Sequence, residues 1–128
     1  MLYLDTSAVV KLLVAERESP ALREYLGDRD WASSALLQTE LIRALARVDP
    51  SLLPRAVDLL ERPNLLAIGT RVLDSAARLS PPSLRSLDAI HLASALEIRD
   101  ELTAFVAYDD RLLAAASALG MPVASPVD

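Results

Sequence analysis

Short apolar runs recur along the chain near 2–5, 30–33, 64–68, 103–107 and 122–124, each with the length of a strand. Between them lie longer stretches with apolar positions at helical spacing, near 7–14, 19–26, 34–48, 51–61, 70–79, 86–99 and 110–119. Strand and helix alternating at these lengths predict α/β architecture, with a parallel, Rossmann-like sheet covered by helices on both faces. Boundary signals support the periodicity. Ser7, Ser34, Thr70 and Ser86 can cap helices, and Ser19-Pro20 and Asp49-Pro50 read as helix entries. Pro63 and Pro81-Pro82 stop the helices before them, and Gly120 stands where the last helix needs a C-cap.

With 128 residues, 52% of them hydrophobic, the chain reads as a single domain over 1–128 with a substantial core. No linker, repeat or low-complexity tract interrupts it. Cysteine is absent, which excludes disulfides, zinc–thiolate sites and thiol nucleophiles. No apolar stretch reaches the length of a membrane span, and an apolar run starting at Met1 or Leu2 leaves no room for a signal peptide. A cytoplasmic protein with no membrane association is therefore expected. The net charge of -5 argues against non-specific binding to nucleic acid. That argument fails locally if carboxylates hold a divalent ion, because the ion inverts the sign of the site.

Asp5 closes the first apolar run, and Asp109 follows the run Ala104-Phe105-Val106-Ala107-Tyr108. An open parallel sheet gathers the carboxyl ends of its strands around one crevice. Glu40 and Asp88 interrupt apolar helical stretches. Four such carboxylates brought together repel one another, and a hard cation with oxygen ligands relieves that repulsion.

Each residue also has a plainer explanation. Asp5-Thr6-Ser7 is a capping sequence; if Thr6 or Ser7 caps, Asp5 is free to face the crevice. In Asp109-Asp110 one aspartate is expected to cap the next helix; Asp109, nearer the strand, is assigned to the site, with Asp110 as the alternate. Glu40 can pair with Arg43 on a helix surface. Asp88 resists the plain explanation. It begins a stripe, Asp88, His91 and Ser94, on a helix otherwise apolar around most of its circumference, where an unpartnered carboxylate costs several kcal/mol. His91, the sole histidine, is expected to be structural and hydrogen-bonded. Lys11, Arg43, Arg85 and Arg111 flank the acidic motifs and can hold phosphates, although surface ion pairing explains each equally well.

Leu4-Asp5-Thr6-Ser7-Ala8, Thr39-Glu40-Leu41-Ile42-Arg43-Ala44-Leu45, Leu87-Asp88-Ala89-Ile90-His91-Leu92-Ala93-Ser94-Ala95 and Tyr108-Asp109-Asp110-Arg111-Leu112 occur in that order. The ordered set resembles the PIN domain, and more narrowly the VapC toxins of toxin–antitoxin pairs. The resemblance spans nearly the whole chain. It implies a three-layer α/β/α sandwich and Mg²⁺- or Mn²⁺-dependent ribonuclease activity. It also implies a homodimer and inhibition by a cognate VapB-like antitoxin in a heterotetramer or larger assembly. Asp5, Glu40, Asp88 and Asp109 would be the acidic catalytic and metal-binding residues, with Thr6 assisting near the metal. The chain departs from the pattern at Ala107, where the family often carries Thr or Ser.

The expected chemistry is hydrolysis of an RNA phosphodiester by metal-activated water. Two alternatives belong to other classes. A receiver-like signalling domain shares the length and the acidic first strand end, but needs a late lysine, and the only lysine is Lys11. A catalytically inactive PIN fold acting by binding alone is disfavoured by four intact carboxylates.

Overall fold

The computed structural model describes residues 1–127. Five parallel strands form one sheet: β1 (Leu2–Leu4), β2 (Trp31–Ser34), β3 (Asn64–Leu66), β4 (Ala104–Val106) and β5 (Val123–Ala124), in the order β3-β2-β1-β4-β5. Seven α-helices connect them: α1 (Thr6–Leu13), α2 (Ser19–Leu26), α3 (Leu37–Val48), α4 (Leu53–Leu59), α5 (Thr70–Ala77), α6 (Ser86–Glu97) and α7 (Asp110–Ala118). All five expected strands and seven expected helices are present, with displaced ends. The run expected to be helical from residue 34 turns helical only at Leu37, because Ser34 still belongs to β2 and its hydroxyl accepts from the Leu36 N–H in the intervening turn. No helix among the described residues is long and apolar enough to cross a membrane.

Alternation along the central strands sorts the core into two layers. Leu2 and Leu4 of β1, with Ala104 and Val106 of β4, pack against α1, α2, α3 and α4. Tyr3 and Phe105, one residue out of step, face α6 and α7 through Leu92, Ala95, Leu112 and Ala116. The sheet is therefore buried on both faces at its centre, and β1 and β4 consist of buried hydrophobic residues throughout. Burying each large side chain contributes about 1.5–3 kcal/mol relative to exposure. A smaller cluster, Val72, Ala76, Ala89 and Ala93, joins α5 to α6. Small residues on both helices let their axes approach closely.

The register places the crevice. Leu2, Tyr3 and Leu4 lie beside Ala104, Phe105 and Val106, so β1 and β4 end level with each other. From β1 the chain crosses to β2 on one side, while β4 leads to β5 on the other. This is the point where connections diverge and where open α/β sheets accommodate ligands beyond the strand ends. Asp5 and Asp109 follow these two strands.

Candidate active site

Asp5 is at once a strand-end carboxylate and the cap of α1. Its Oδ1 accepts from the Ala8 N–H at 3.0 Å and from the Ser7 hydroxyl at 2.7 Å. Neither Thr6 nor Ser7 caps in its place, so the expectation that a neighbour would free Asp5 is corrected. Asp is among the strongest N-caps, and the first free donors of α1 lie where its carboxylate leaves the sheet. The side chain is only 5% exposed. Burial pushes its carboxyl upward from the ordinary value, against the two donors, and the charge of Asp88 adds to the rise.

Asp109 repeats this arrangement on α7. Its Oδ1 accepts from the backbone N–H groups of Arg111 at 2.8 Å and Leu112 at 3.2 Å. Asp109 is thus the cap that the sequence required of one of the pair, and it is also the strand-end residue. Asp110 is the first residue of α7 and is exposed.

Glu40 does not form the expected surface pair with Arg43. It lies on α3, half-buried, and its Oε1 accepts from the Thr6 hydroxyl at 2.6 Å and engages His91 Nε2 at 2.7 Å. Burial raises the carboxyl, but His91 and Thr6 outweigh it and hold Glu40 below its usual range. Three elements, α1, α3 and α6, meet in this contact. His91 is hydrogen-bonded, as expected, and one of its partners is the carboxylate of Glu40. That proximity has no signal in the local sequence, since Glu40 and His91 stand 51 residues apart.

Asp88 opens α6 from its first turn, partly buried. Burial raises its carboxyl first, then the charge of Asp109, and Glu40 adds to the rise, while His91 and Arg85 oppose it. Asp88 is therefore the residue through which the four carboxylates feel one another: it couples to Asp5, Asp109 and Glu40. Further along the stripe, His91 and Ser94 turn inward to the sheet. The Ser94 hydroxyl lies near enough to Tyr3 to influence it, yet makes no well-formed hydrogen bond. Lys11 is drawn away into ion pairs with Glu16 and Glu18 at 3.1 and 2.9 Å.

The four carboxylates lie in mutual electrostatic reach without converging closely. Among the described residues no three His, Asp or Glu side chains stand together as a metal-holding group. Asp5, Asp109 and Glu40 each commit one oxygen to fixed donors, which sets their directions. The donor set still suits a hard divalent cation. It consists of four carboxylates, of which Asp5 and Asp88 are raised by burial first and then by neighbouring carboxylate charge, and the second oxygen of Asp5, Asp109 and Glu40 carries no hydrogen bond from the described residues.

Comparison with known proteins agrees with this geometry. Residues 2–118 match the PIN domain family. The chain is 45% identical to ribonuclease VapC47 of Mycobacterium tuberculosis, over 98% of this chain and 97% of the relative. It is 46% identical to ribonuclease VapC35 and 47% identical to ribonuclease VapC46 of the same organism, with the same coverage. Among solved structures, the sarcin–ricin loop cleaving toxin VapC20 of that organism superimposes with a TM-score of 0.77. That match is 15% identical and covers 98% of this chain and all of the other, so it speaks for the fold alone. A full-length match in sequence, a shared sandwich and acidic groups at its diverging strand ends lead to one assignment: the chain belongs to the PIN-domain family and lies among its VapC ribonucleases.

Proposed function

We propose that this chain is a divalent-metal-dependent endoribonuclease, the toxin of a VapBC-type toxin–antitoxin pair. The observation that carries the reading is the position of Asp5 and Asp109 beyond the adjacent ends of β1 and β4, with Asp88 coupled by charge to both and to Glu40. Asp5, Asp88 and Asp109 would hold Mg²⁺ or Mn²⁺, with Glu40 as a further ligand or as the acceptor that orients a water. When bound, such an ion supplies Lewis acidity and lowers the pKa of water. The chain's own residues do the remaining work. The two helix caps fix the directions of Asp5 and Asp109 before substrate arrives. Thr6 and His91 keep Glu40 ionised, so that it can accept a proton or a hydrogen bond. Arg43 and Arg111 lie outside the ion pairs found among the described residues, and either can take a flanking phosphate.

The same reading assigns a homodimer and a VapB-like antitoxin as partners, in a heterotetramer or larger assembly. It assigns the cytoplasm as the compartment, where RNA and antitoxin are both available. The receiver-like alternative has no support in the site, because Lys11, the sole lysine, is held by two glutamates on the C-terminal side of α1.

The test is incubation of the purified chain with total cellular RNA in Mg²⁺, in Mn²⁺ and in chelator, followed by mapping of the new RNA ends. Discrete cleavage with either metal is expected, none with chelator, and none from Asp5→Asn or Asp88→Asn. Cleavage that persists in chelator or in Asp88→Asn would overturn the proposal.

A further inference from the structure

Tyr3, His91 and Glu40 form a chain of contacts from the sheet interior to the crevice. Tyr3 is fully buried on β1, its ring stacked on Phe105 with centroids 5.2 Å apart and planes 9° from parallel. Its hydroxyl lies 2.8 Å from His91 Nδ1. The histidine ring is 2% exposed and stands edge-on to Tyr3, with centroids 5.9 Å apart at 79°. On its far side Nε2 lies 2.7 Å from Glu40 Oε1 and 3.2 Å from the Thr6 hydroxyl.

In its neutral form the imidazole carries one proton, and its partners decide which nitrogen holds it. Glu40 Oε1 accepts from the Thr6 hydroxyl at 2.6 Å and stands as an acceptor towards His91 as well, so the nitrogen 2.7 Å from it donates. The buried phenol keeps its proton, held there by burial first and then by the charge of Asp5, and with Nε2 donating to Glu40 it is free to donate that proton to Nδ1 at 2.8 Å. Both contacts fit the same tautomer. We propose that His91 is a positioning residue: Tyr3 locks it with its proton on Nε2, and that proton, together with Thr6, turns the Glu40 carboxylate so that Oε1 is occupied and Oε2 is presented to the acidic crevice. The arrangement is rigid. The ring is clamped between β1 and α3, and moving it would strand a buried hydroxyl and a carboxylate without partners.

This inference rests on Glu40 belonging to the metal-dependent site, and the experiment separates the two. In ion-free protein, ¹⁵N spectra of the imidazole should show His91 as a single Nε2–H tautomer, becoming a mixture in Tyr3→Phe. Mn²⁺ affinity, read by electron paramagnetic resonance, should fall roughly 10–100-fold in His91→Ala, the range for losing a group that orients a ligand. His91→Gln, which can return a donor to Glu40, should recover most of that loss, and KM for RNA should stay unchanged while kcat falls. Wild-type protein that binds no Mn²⁺ would overturn the nuclease reading and the positioning role with it. A wild type that binds Mn²⁺, beside a folded His91→Ala that binds it equally well, would overturn the positioning role alone. An Nδ1–H tautomer in wild type would overturn the role without any variant.

Discussion

Two carboxylates in this protein serve as caps and as candidate ligands, and the substitution chosen to probe them decides which role is seen. At Asp109, Asn retains a cap of similar strength, whereas Ala removes it at a cost of about 0.5–2 kcal/mol. Asp109→Asn should therefore abolish RNA cleavage with little change in melting temperature, and Asp109→Ala should lose both; paired cleavage and thermal denaturation measurements check this. Asp88 is different, because it caps nothing, and burial and the charges of Asp109 and Glu40 outweigh those of His91 and Arg85. Its folded-state pKa is raised, so the fold favours the protonated form. Below the ordinary aspartate value of 3.8 the group is protonated in both states and costs nothing. As pH rises through the interval up to the raised folded value, ionisation opposes folding, and above it the full penalty applies. Asp88→Asn should thus match wild type in ion-free stability at low pH and exceed it increasingly as pH rises. A Tm difference independent of pH would contradict this account. Much of this was legible residue by residue: the oddity of Asp88 on an apolar helix was plain from spacing. The double use of Asp5 and Asp109 was not, since capping and ligation look alike in a sequence.

At the scale of elements, α6 is where packing and site are tied together. It contributes Leu92 and Ala95 to the layer against the sheet, Ala89 and Ala93 to the contact with α5, and Asp88 and His91 to the site. Leu92 is fully buried between α6 and the sheet. Leu92→Ala should cost about 2–5 kcal/mol in chemical denaturation, the usual range for a truncation that leaves a cavity. The order and type of the five strands and seven α-helices followed from apolar periodicity, which is clearest where an element is buried, as in β1, β4 and α6. Their ends did not. Ser33 and Ser34 carry no apolar signal yet complete β2, held by Ser33 donating to the Leu4 carbonyl at 2.7 Å. The contact of Glu40 with His91 was equally hidden, since it depends on how α3 and α6 pack.

For the molecule as a whole, the uncompensated acidic crevice makes ion binding and stability one measurement. A divalent ion that prefers the folded state raises its stability in proportion to the logarithm of ion concentration once the site is saturated. Mg²⁺ or Mn²⁺ should raise the melting temperature of wild type, and much less that of Asp5→Asn or Asp88→Asn. Equal shifts in all three would mean that the ion acts elsewhere. Light scattering of the chain alone, and after co-expression with its genetic neighbour, tests the dimer and the larger assembly.

The pairing of β1 with β4 also sets a timetable. Leu2 finds its partner in Ala104, so the first strand made waits for one of the last. Contacts that bridge so much chain form late and slowly compared with local ones. Asp5 leaves the ribosome early, but the crevice exists only after Asp109 has followed and β4 has slotted in beside β1. An unfinished chain is thus an incomplete nuclease with a bare strand edge. Fragments ending before Ala104 should be inert towards RNA and prone to aggregate, measurable by cleavage and sedimentation of a truncation series. The order of the chain's own sheet leaves the crevice unassembled until β4 has been made and laid beside β1.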